Sequence, residues 1–340
     1  MNHEIDTHNY NFRTDLLLDE INNSNKDYIV YEDYDNINVS TIIVNDDNKN
    51  KFYKKNGKYI TIEFNDVTDY NNSKKLKEVL IKKIEEIIID NNIKQGDTCL
   101  VIGLGNKYFT ADSLGPLSIE NIIVTNHFYS LGIDVEEGFR SVAAISPGVT
   151  GQTGIETFDI INSLVKELKP DFLLVIDSLK ASKIDRLNKT IQITDSGISP
   201  GSGIGNNRKE ISKELLNIPV IAIGVPTVVD TLTIVNDSFN YMVNYYSYMK
   251  NNINNPSEKL KIIRTNFSVE NMNDNDRKQL FGLIGTLDEE ELKLFINETL
   301  FHTNYNMIVS VKDIDLQIKK LSDVISTSIN NALHKNVNDL

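Results

Sequence analysis

The chain has 340 residues, a single cysteine and a formal net charge of −13. One cysteine excludes an intrachain disulfide framework, and the acidic balance argues against a direct nucleic-acid contact. No apolar run is long enough to cross a bilayer and the N-terminus is polar, so we expect a cytoplasmic protein that makes no membrane contact.

The N-terminal third is predicted to contain a β-hairpin and a helix. Residues 39–44 and 59–64 are rich in β-formers and are joined by a polar link, which is typical of a hairpin. Apolar residues at helical spacing predict a helix over residues 73–90, with Asn72 or Ser73 as its N-cap.

Strands and helices then alternate, a pattern typical of a parallel sheet with helices on both faces. The predicted strands are 98–103, 141–146, 172–177, 190–194 and 219–224, and the predicted helices are 116–130 and 155–168. Residues 232–275 combine a helical pattern with polar loops, and residues 310–334 form an amphipathic helix capped by Ser310. We therefore predict an α/β fold with a mainly parallel twisted sheet, an added N-terminal hairpin and C-terminal helical segments.

Two aspartates each follow a buried predicted strand. Asp112 lies on the loop after strand 98–103, and Asp177 ends strand 172–177. Either residue taken alone could cap a helix or a turn. Because ligands of open α/β sheets bind at the carboxyl ends of the strands, both side chains are expected to face one crevice. Two carboxylates within hydrogen-bond reach share one proton, so that one acts as a base on a water and the other as an acid.

Glycines near these aspartates are predicted to let the backbone approach a peptide or the facing acidic pair. Gly103, Gly105 and Asn106 form one such loop and residues 201–206 form another, but neither carries the full dinucleotide-binding fingerprint. Residues 197–201 match the Gly-x-Ser-x-Gly motif of the nucleophile elbow in serine hydrolases. The proline after the serine, however, removes a backbone N–H that an oxyanion hole of that type needs.

Asp230 is a third acid near the end of a predicted strand. We interpret it as structural, and a supporting role in the site is left open. The five histidines show no paired spacing of the kind that zinc ligands have, so neither a metal site nor a cofactor is predicted.

With these residues in view, the chain resembles the spore germination proteases, atypical aspartic endopeptidases of endospore-forming bacteria. The resemblance covers residues 10–16, 99–230 and 281–334. The segments that carry it are Cys-Leu-Val-Ile-Gly-Leu-Gly-Asn at 99–106, Asp-Ser-Leu-Gly-Pro at 112–116, Glu-Glu-Gly-Phe-Arg at 136–140, Gly-Ile-Glu-Thr at 154–157, Lys-Pro-Asp-Phe at 169–172, Pro-Gly-Ser-Gly-Ile-Gly-Asn at 200–206 and Ile-Pro-Val-Ile-Ala-Ile-Gly-Val-Pro-Thr-Val-Val-Asp at 218–230.

This resemblance implies an endopeptidase that begins the degradation of small acid-soluble spore proteins when a spore germinates. The dyad aspartates of the family correspond to Asp112 and Asp177. The resemblance also implies a homotetramer in the forespore or spore core, with a fold similar to that of the hydrogenase maturation endopeptidases.

The resemblance further implies a zymogen that removes its own propeptide, residues 1–15. Family substrates are cut after an acidic residue, and Arg-Thr-Asp-Leu at 13–16 is a similar sequence. The expected processing bond is therefore Asp15–Leu16. Residues 16–340 are then expected to form a single catalytic domain with insertions at about 19–95 and 232–275.

Two functions from other classes remain as alternatives. In a metal-assisted maturation protease of the hydrogenase type, Asp112 and Asp177 would bind a metal carried by the substrate, although the accompanying histidine has no counterpart here. In a non-enzymatic binding module, the glycine loops would hold a nucleotide. The incomplete fingerprint and the acidic charge argue against this second alternative.

Overall fold

The computed structural model describes residues 16–17, 27–52, 54–201, 208–255, 257, 274–303, 305–335 and 337. The chain divides into two units, one formed by Met1–Val228 with Ser310–Leu340 and the other by Val229–Val309. The predicted propeptide, residues 1–15, lies outside the described residues. The single catalytic domain expected over residues 16–340 stays a prediction.

The described part of the chain contains nine strands and eleven α-helices. The strands are β1 (Ile29–Asp33), β2 (Asn38–Val44), β3 (Gly57–Glu63), β4 (Cys99–Gly103), β5 (Val142–Ile145), β6 (Phe172–Lys180), β7 (Thr190–Thr194), β8 (Val220–Asp230) and β9 (Ile308–Val309). The helices are α1 (Lys49–Phe52), α2 (Tyr70–Asp90), α3 (Leu114–Ile119), α4 (Asn126–Ser130), α5 (Thr150–Thr153), α6 (Thr157–Leu168), α7 (Lys213–Leu216), α8 (Thr231–Asn251), α9 (Asp274–Phe281), α10 (Glu289–Phe301) and α11 (Ile314–Leu333). No described helix is both long and apolar enough to cross a membrane.

The sheet has the strand order β1-β2-β3-β7-β8-β6-β4-β5, and β9 pairs with β8. Strands β5, β4, β6 and β8 run parallel to one another. Strands β1, β2, β3 and β7 pair antiparallel and extend the sheet on the far side of β8. The α/β class is confirmed, and the predicted hairpin is the antiparallel pair β2–β3.

Helices cover both faces of the parallel strands, which is why these strands are apolar along almost their whole length. Apolar residues of α2, α3 and α11 pack on one face, here called the α3 face, and those of α6 and α7 pack on the other, the α6 face. Along β6, Leu174 and Ile176 lie on the α3 face, whereas Leu173 and Val175 lie on the α6 face. This alternation fixes the direction of the side chains that follow on the same strand.

The single helix predicted over residues 116–130 is wrong, because the chain forms two short helices separated by residues 120–125. The side chain of Asn330 on α11 explains the break. Its Oδ1 accepts the Ile123 N–H at 2.9 Å, and its Nδ2 donates to the Asn121 carbonyl at 2.9 Å. These bonds satisfy backbone groups that a continuous helix would otherwise pair.

The predicted N-caps of two helices are also wrong. The cap of α2 is Asp69, whose side chain accepts the Asn72 N–H at 2.9 Å, instead of Asn72 or Ser73. Helix α11 begins after Asp313 instead of near Ser310. The spacing of apolar residues locates the buried face of a helix, but it does not determine the first residue.

The second unit contains α8, α9, α10 and β9. Asp230 is the N-cap of α8, and its carboxylate accepts the Thr233 N–H at 2.8 Å. A small core forms around Leu232, Leu292 and Ile296. The capping role agrees with the structural interpretation of Asp230.

Candidate active site

Close backbone contacts build the turn at the end of β4. A Cβ atom on Gly103 would lie 2.3 Å from the carbonyl oxygen of Gly115, and one on Gly115 would lie 2.2 Å from that of Leu104. Helix α3 therefore packs backbone against backbone on the end of β4. Gly105 has φ +111°, and a Cβ there would lie 2.1 Å from the carbonyl oxygen of Asp112. A larger residue at Gly105 would displace Asp112.

Asp112 ends a short 3-10 turn, Thr110–Asp112, that leads into α3. Its carboxylate accepts the Asn106 N–H at 2.9 Å, and the same N–H lies 3.0 Å from the Asp112 carbonyl oxygen. Burial raises the pKa of Asp112 to about 6, although the Asn106 hydrogen bond and the positive charge of Arg208 both lower it. A carboxyl group with this pKa can hold a proton near neutral pH and release it, as a general acid must.

Two side chains hold the Asp112 turn from outside. Gln152 on α5 donates from Nε2 to Oδ1 of Asn106 at 2.7 Å. Thr227 on β8, which is fully buried, donates from its hydroxyl to the Ala111 carbonyl at 2.5 Å. Neither Gln152 nor Thr227 is singled out by the sequence, because their partners lie 46 and 116 positions away and are brought to them only by the fold.

Asp177 lies inside β6 and not at its end, which corrects the predicted strand 172–177. The strand continues to Lys180 because β8 also continues and keeps supplying backbone partners. Asp177 is opposite Gly224 in the register, and only 5% of the residue is exposed. One carboxylate oxygen accepts the Ser178 N–H at 2.9 Å. The alternation along β6 directs the Asp177 side chain to the α6 face.

The register of the sheet brings the two aspartates to the same turn. The Leu104 N–H donates to the Ile176 carbonyl at 2.8 Å, so Asp177 directly follows the residue that is bonded to the end of β4. Gly105, the next residue along the turn, abuts Asp112. Neighbouring strands are only about 4.8 Å apart. Asp112 and Asp177 therefore both lie next to the turn at the carboxyl edge of β4.

One basic residue near this edge, Arg208, is not identified by the sequence. Its side chain is half-buried, and its charge acts on the Asp112 carboxylate. Within the part of the chain that the structure describes, no hydrogen bond or ion pair engages its guanidinium. The preceding glycine loop was predicted at residues 201–206. Of that loop, only Gly201, with φ +69°, lies within the described residues.

Among the described residues, no three His, Cys, Asp or Glu side chains are grouped so that they could hold a metal ion. The buried His334 uses both ring nitrogens in backbone contacts. Its Nδ1 accepts the Arg140 N–H at 3.1 Å, and its Nε2 lies 3.2 Å from the Ile123 carbonyl. Burial lowers the pKa of His334, which fits a neutral ring that holds the C-terminal end of α11 in place.

The expected processing bond is only partly visible, because Asp15 lies outside the described residues. Leu16 and Leu17 are both fully buried. Leu17 packs in a cluster with residues of the β2–β3 hairpin, and its N–H donates to Oε1 of Gln192 at 2.9 Å. Of the residues that follow this bond, Leu16 and Leu17 are therefore buried, and Leu17 is held to the sheet by a hydrogen bond.

Comparison with known proteins agrees with the resemblance. The sequence model of a peptidase family described as germination protease matches residues 5–340. A germination protease of Geobacillus sp. strain WCH70 is 38% identical over 362 residues, covering 99% of this chain and 97% of the relative. One of Bacillus velezensis strain FZB42 is 39% identical over 359 residues, with the same coverage. Among solved structures, the NiFe hydrogenase maturation protease HycI of Thermococcus kodakarensis KOD1 aligns with a TM-score of 0.29 and 15% identity, over 43% of this chain and 80% of its own.

Proposed function

The chain belongs to the germination protease family and is a peptidase, and on this premise we propose that it is an aspartate-dependent endopeptidase acting on small acid-soluble spore proteins. The observation that carries the proposal is the position of Asp112 and Asp177 next to one turn, with the pKa of Asp112 raised to about 6. A raised pKa on one member of an acidic pair separates the roles of acid and base.

In the proposed mechanism Asp177 is the base and Asp112 is the acid. Asp177 takes a proton from a water molecule, whose oxygen attacks the carbonyl carbon of the scissile peptide bond. Protonated Asp112 gives its proton to the carbonyl oxygen as the tetrahedral intermediate forms. When the carbon–nitrogen bond breaks, the proton held by Asp177 passes to the leaving amine, and Asp112 takes a proton back from a hydroxyl of the intermediate, so that both carboxyl groups return to their starting states. No covalent bond forms between enzyme and peptide.

Replacing either aspartate by asparagine tests this mechanism. Asp112→Asn and Asp177→Asn should each abolish cleavage of a spore-protein peptide, as measured by mass spectrometry of the products, while circular dichroism shows an unchanged fold. Turnover at the wild-type rate in either variant would exclude the dyad. Wild-type activity should also fall as the pH rises through about 6, because Asp112 then loses the proton that it must donate.

The same assay with a chelator tests the metal-assisted alternative. Cleavage that stops with chelator and returns with added metal would favour a maturation protease of the hydrogenase type. Cleavage that continues unchanged would favour the aspartate mechanism. The nucleotide-binding alternative is tested by thermal denaturation, where stabilisation by a nucleotide would support it.

We also propose that the chain is made as a zymogen, works in the forespore or spore core, and assembles as a homotetramer. Residues 1–15 would obstruct the site until the Asp15–Leu16 bond is cut. The buried Leu16 and Leu17 support this, since Leu17 holds the new N-terminus to the sheet once the preceding residues are removed. A chain that begins at Leu16 should cleave the peptide faster than the full-length chain. Equal rates would rule out inhibition by this segment.

A further inference from the structure

We propose that the open edge of β5 binds the substrate peptide as an added strand and leads it to the acids beside the end of β4. This inference rests on the proposed function and deepens it, because it names the surface that holds the peptide at a distance from the scissile bond. A peptide that joins a sheet edge is bound through its backbone, so the affinity does not depend on one particular sequence.

The backbone of β5 has unpaired hydrogen-bonding groups on its outer side. Within the described part of the chain, β5 is an end strand whose single neighbour is β4. The Ser141 carbonyl accepts the Cys99 N–H of β4 at 2.9 Å. Val142 bonds on the opposite side, where its N–H and its C=O each pair with Thr125 at 2.9 Å. Because these groups alternate in direction along a strand, the N–H and C=O of Ala144 also point away from β4, and neither has a partner among the described residues.

The sequence of this edge lacks the side chains that prevent pairing with another chain. Residues 141–148 contain no charged residue, and the small Ala143 and Ala144 are only half-buried. The opposite edge strand, β1, carries Glu32 and Asp33. Charged side chains on an edge strand discourage the addition of a further strand. Of the two edges, β5 is therefore the one suited to accept a peptide.

The chain that follows this edge leads to the candidate active site. Helix α5 begins five residues after the end of β5, and its Gln152 donates to the side chain of Asn106 at 2.7 Å. The N–H of Asn106 is in turn bonded to the Asp112 carboxylate at 2.9 Å. A peptide that runs alongside β5 and past its carboxyl end therefore arrives next to the turn that carries Asp112.

The register of the sheet gives the length of peptide that this path requires. Ala144 is level with Val101 of β4, and Gly105, which abuts Asp112, lies four residues further along the chain. With about 3.3 Å per residue along a strand and about 4.8 Å between strands, a strand added at Ala144 lies about 16 Å from this turn, or about five extended residues. The edge therefore contacts peptide residues well away from the scissile bond.

The open edge is too short to favour a second copy of the chain as its occupant. Thr125 closes the edge at Val142, and Pro147, which has no N–H, follows Ser146. About four residues, or about 13 Å of strand, are left between these limits. Stable interfaces between proteins bury more than about 1,000 Å². A single peptide strand fits the available length.

The test compares two spore-protein peptides, one with three residues and one with eight residues on each side of the scissile bond. In the variant Ala144→Pro the outward N–H is removed, while no hydrogen bond to β4 is lost. Cleavage of the long peptide should fall at least about fivefold in kcat/KM, the factor expected for one lost backbone hydrogen bond. Cleavage of the short peptide, which does not reach the edge, should stay at the wild-type rate. Ala144→Ser keeps the N–H and should cleave both peptides as the wild type does.

A second measurement uses the wild-type chain and long peptides that carry one N-methyl group each. Only alternate N–H groups of a strand face its neighbour. N-methylation about four to seven residues from the scissile bond should therefore lower kcat/KM at every second amide and have little effect in between. This alternation supports the added strand even if Ala144→Pro fails to fold, and a series without alternation overturns it.

Three other outcomes would also overturn the inference. A folded Ala144→Pro variant that slows the short and long peptides equally would show that the edge does not hold the peptide. A smaller molecular mass of this variant in light scattering would make the edge an interface between copies of the chain. If the wild-type chain cleaves neither peptide, the proposed function itself fails, whereas normal cleavage without alternation removes only the role of the edge.

Discussion

Replacing Asp112 by asparagine should inactivate the protein and at the same time stabilise its fold. The reason is that the native structure holds this carboxyl group in a place that disfavours its charged form. Asparagine has almost the same shape and can still accept the Asn106 N–H, but it carries no charge to be buried. The substitution therefore removes the cost of burial and keeps the hydrogen bond.

The magnitude follows from the pKa of Asp112, which folding raises from 3.8 to about 6. Below pH 3.8 the carboxyl group is protonated in both the folded and the unfolded chain, so it has no effect on stability. Between pH 3.8 and 6 the folded chain holds a proton that the unfolded chain releases, and the free energy of unfolding falls as the pH rises. At about 1.4 kcal/mol per pKa unit the cost above pH 6 is about 3 kcal/mol. Because Asp112 keeps some contact with solvent, we expect about 1–3 kcal/mol.

The assay is urea unfolding of wild type and Asp112→Asn at pH 3.5 and at pH 7.5. The variant should be more stable by about 1–3 kcal/mol at pH 7.5, and the difference should disappear at pH 3.5. Asp69→Asn removes the same charge from the exposed cap of α2 and measures the general effect of one negative charge fewer. A variant that is less stable than wild type at pH 7.5, or a gain of equal size at both pH values, would refute the reasoning.

Three further substitutions and one control probe the supports of the site and the segment after the processing bond. Thr227→Val removes the hydrogen bond to the turn before Asp112 and leaves a buried carbonyl unpaired. The free energy of unfolding, measured by urea titration, should therefore fall by about 1–3 kcal/mol, and kcat should fall as well. Gly105→Ala should destabilise the fold and abolish cleavage, whereas Gly132→Ala, also at positive φ but with open space around it, should cost only the backbone strain and leave kcat unchanged. Leu17→Ala should loosen the segment after the processing bond, and gel analysis should show faster self-cleavage than in wild type.

Elements whose partners lie close in the sequence, or whose apolar pattern is strong, are predictable from the sequence. The β2–β3 hairpin and β7 at residues 190–194 lie in the segments that are predicted as strands because they are rich in β-forming residues. The α6 stripe that contains Phe158, Ile161 and Val165 is buried as its spacing indicates. In these segments local propensity and final packing favour the same structure.

Elements that depend on one distant side chain are not predictable in this way. Asn330 ends α3 by bonding to residues more than 200 positions away, and no pattern within residues 116–130 indicates it. The site combines both cases, because Asp112 and Asp177 are proposed from the ends of apolar runs but the surroundings of these residues are not. Arg208 lies in a polar segment whose position is set by tertiary contacts, so its charge cannot be related to the acids from the sequence alone.

The glycines and the acid at the end of β4 form a single functional unit. Asp112 has a raised pKa because it is buried, and it is buried because Gly103 and Gly115 let α3 lie directly on the strand while Gly105 lets the turn close over it. A side chain at any of these positions would separate the backbones and admit water, and a better hydrated carboxyl group would return towards its ordinary pKa. It would then lose its proton at a lower pH, and the pH range in which it can donate one would move down with it. The spacing of these three glycines around Asp112 is therefore a requirement of the proposed acid catalysis as well as of the turn.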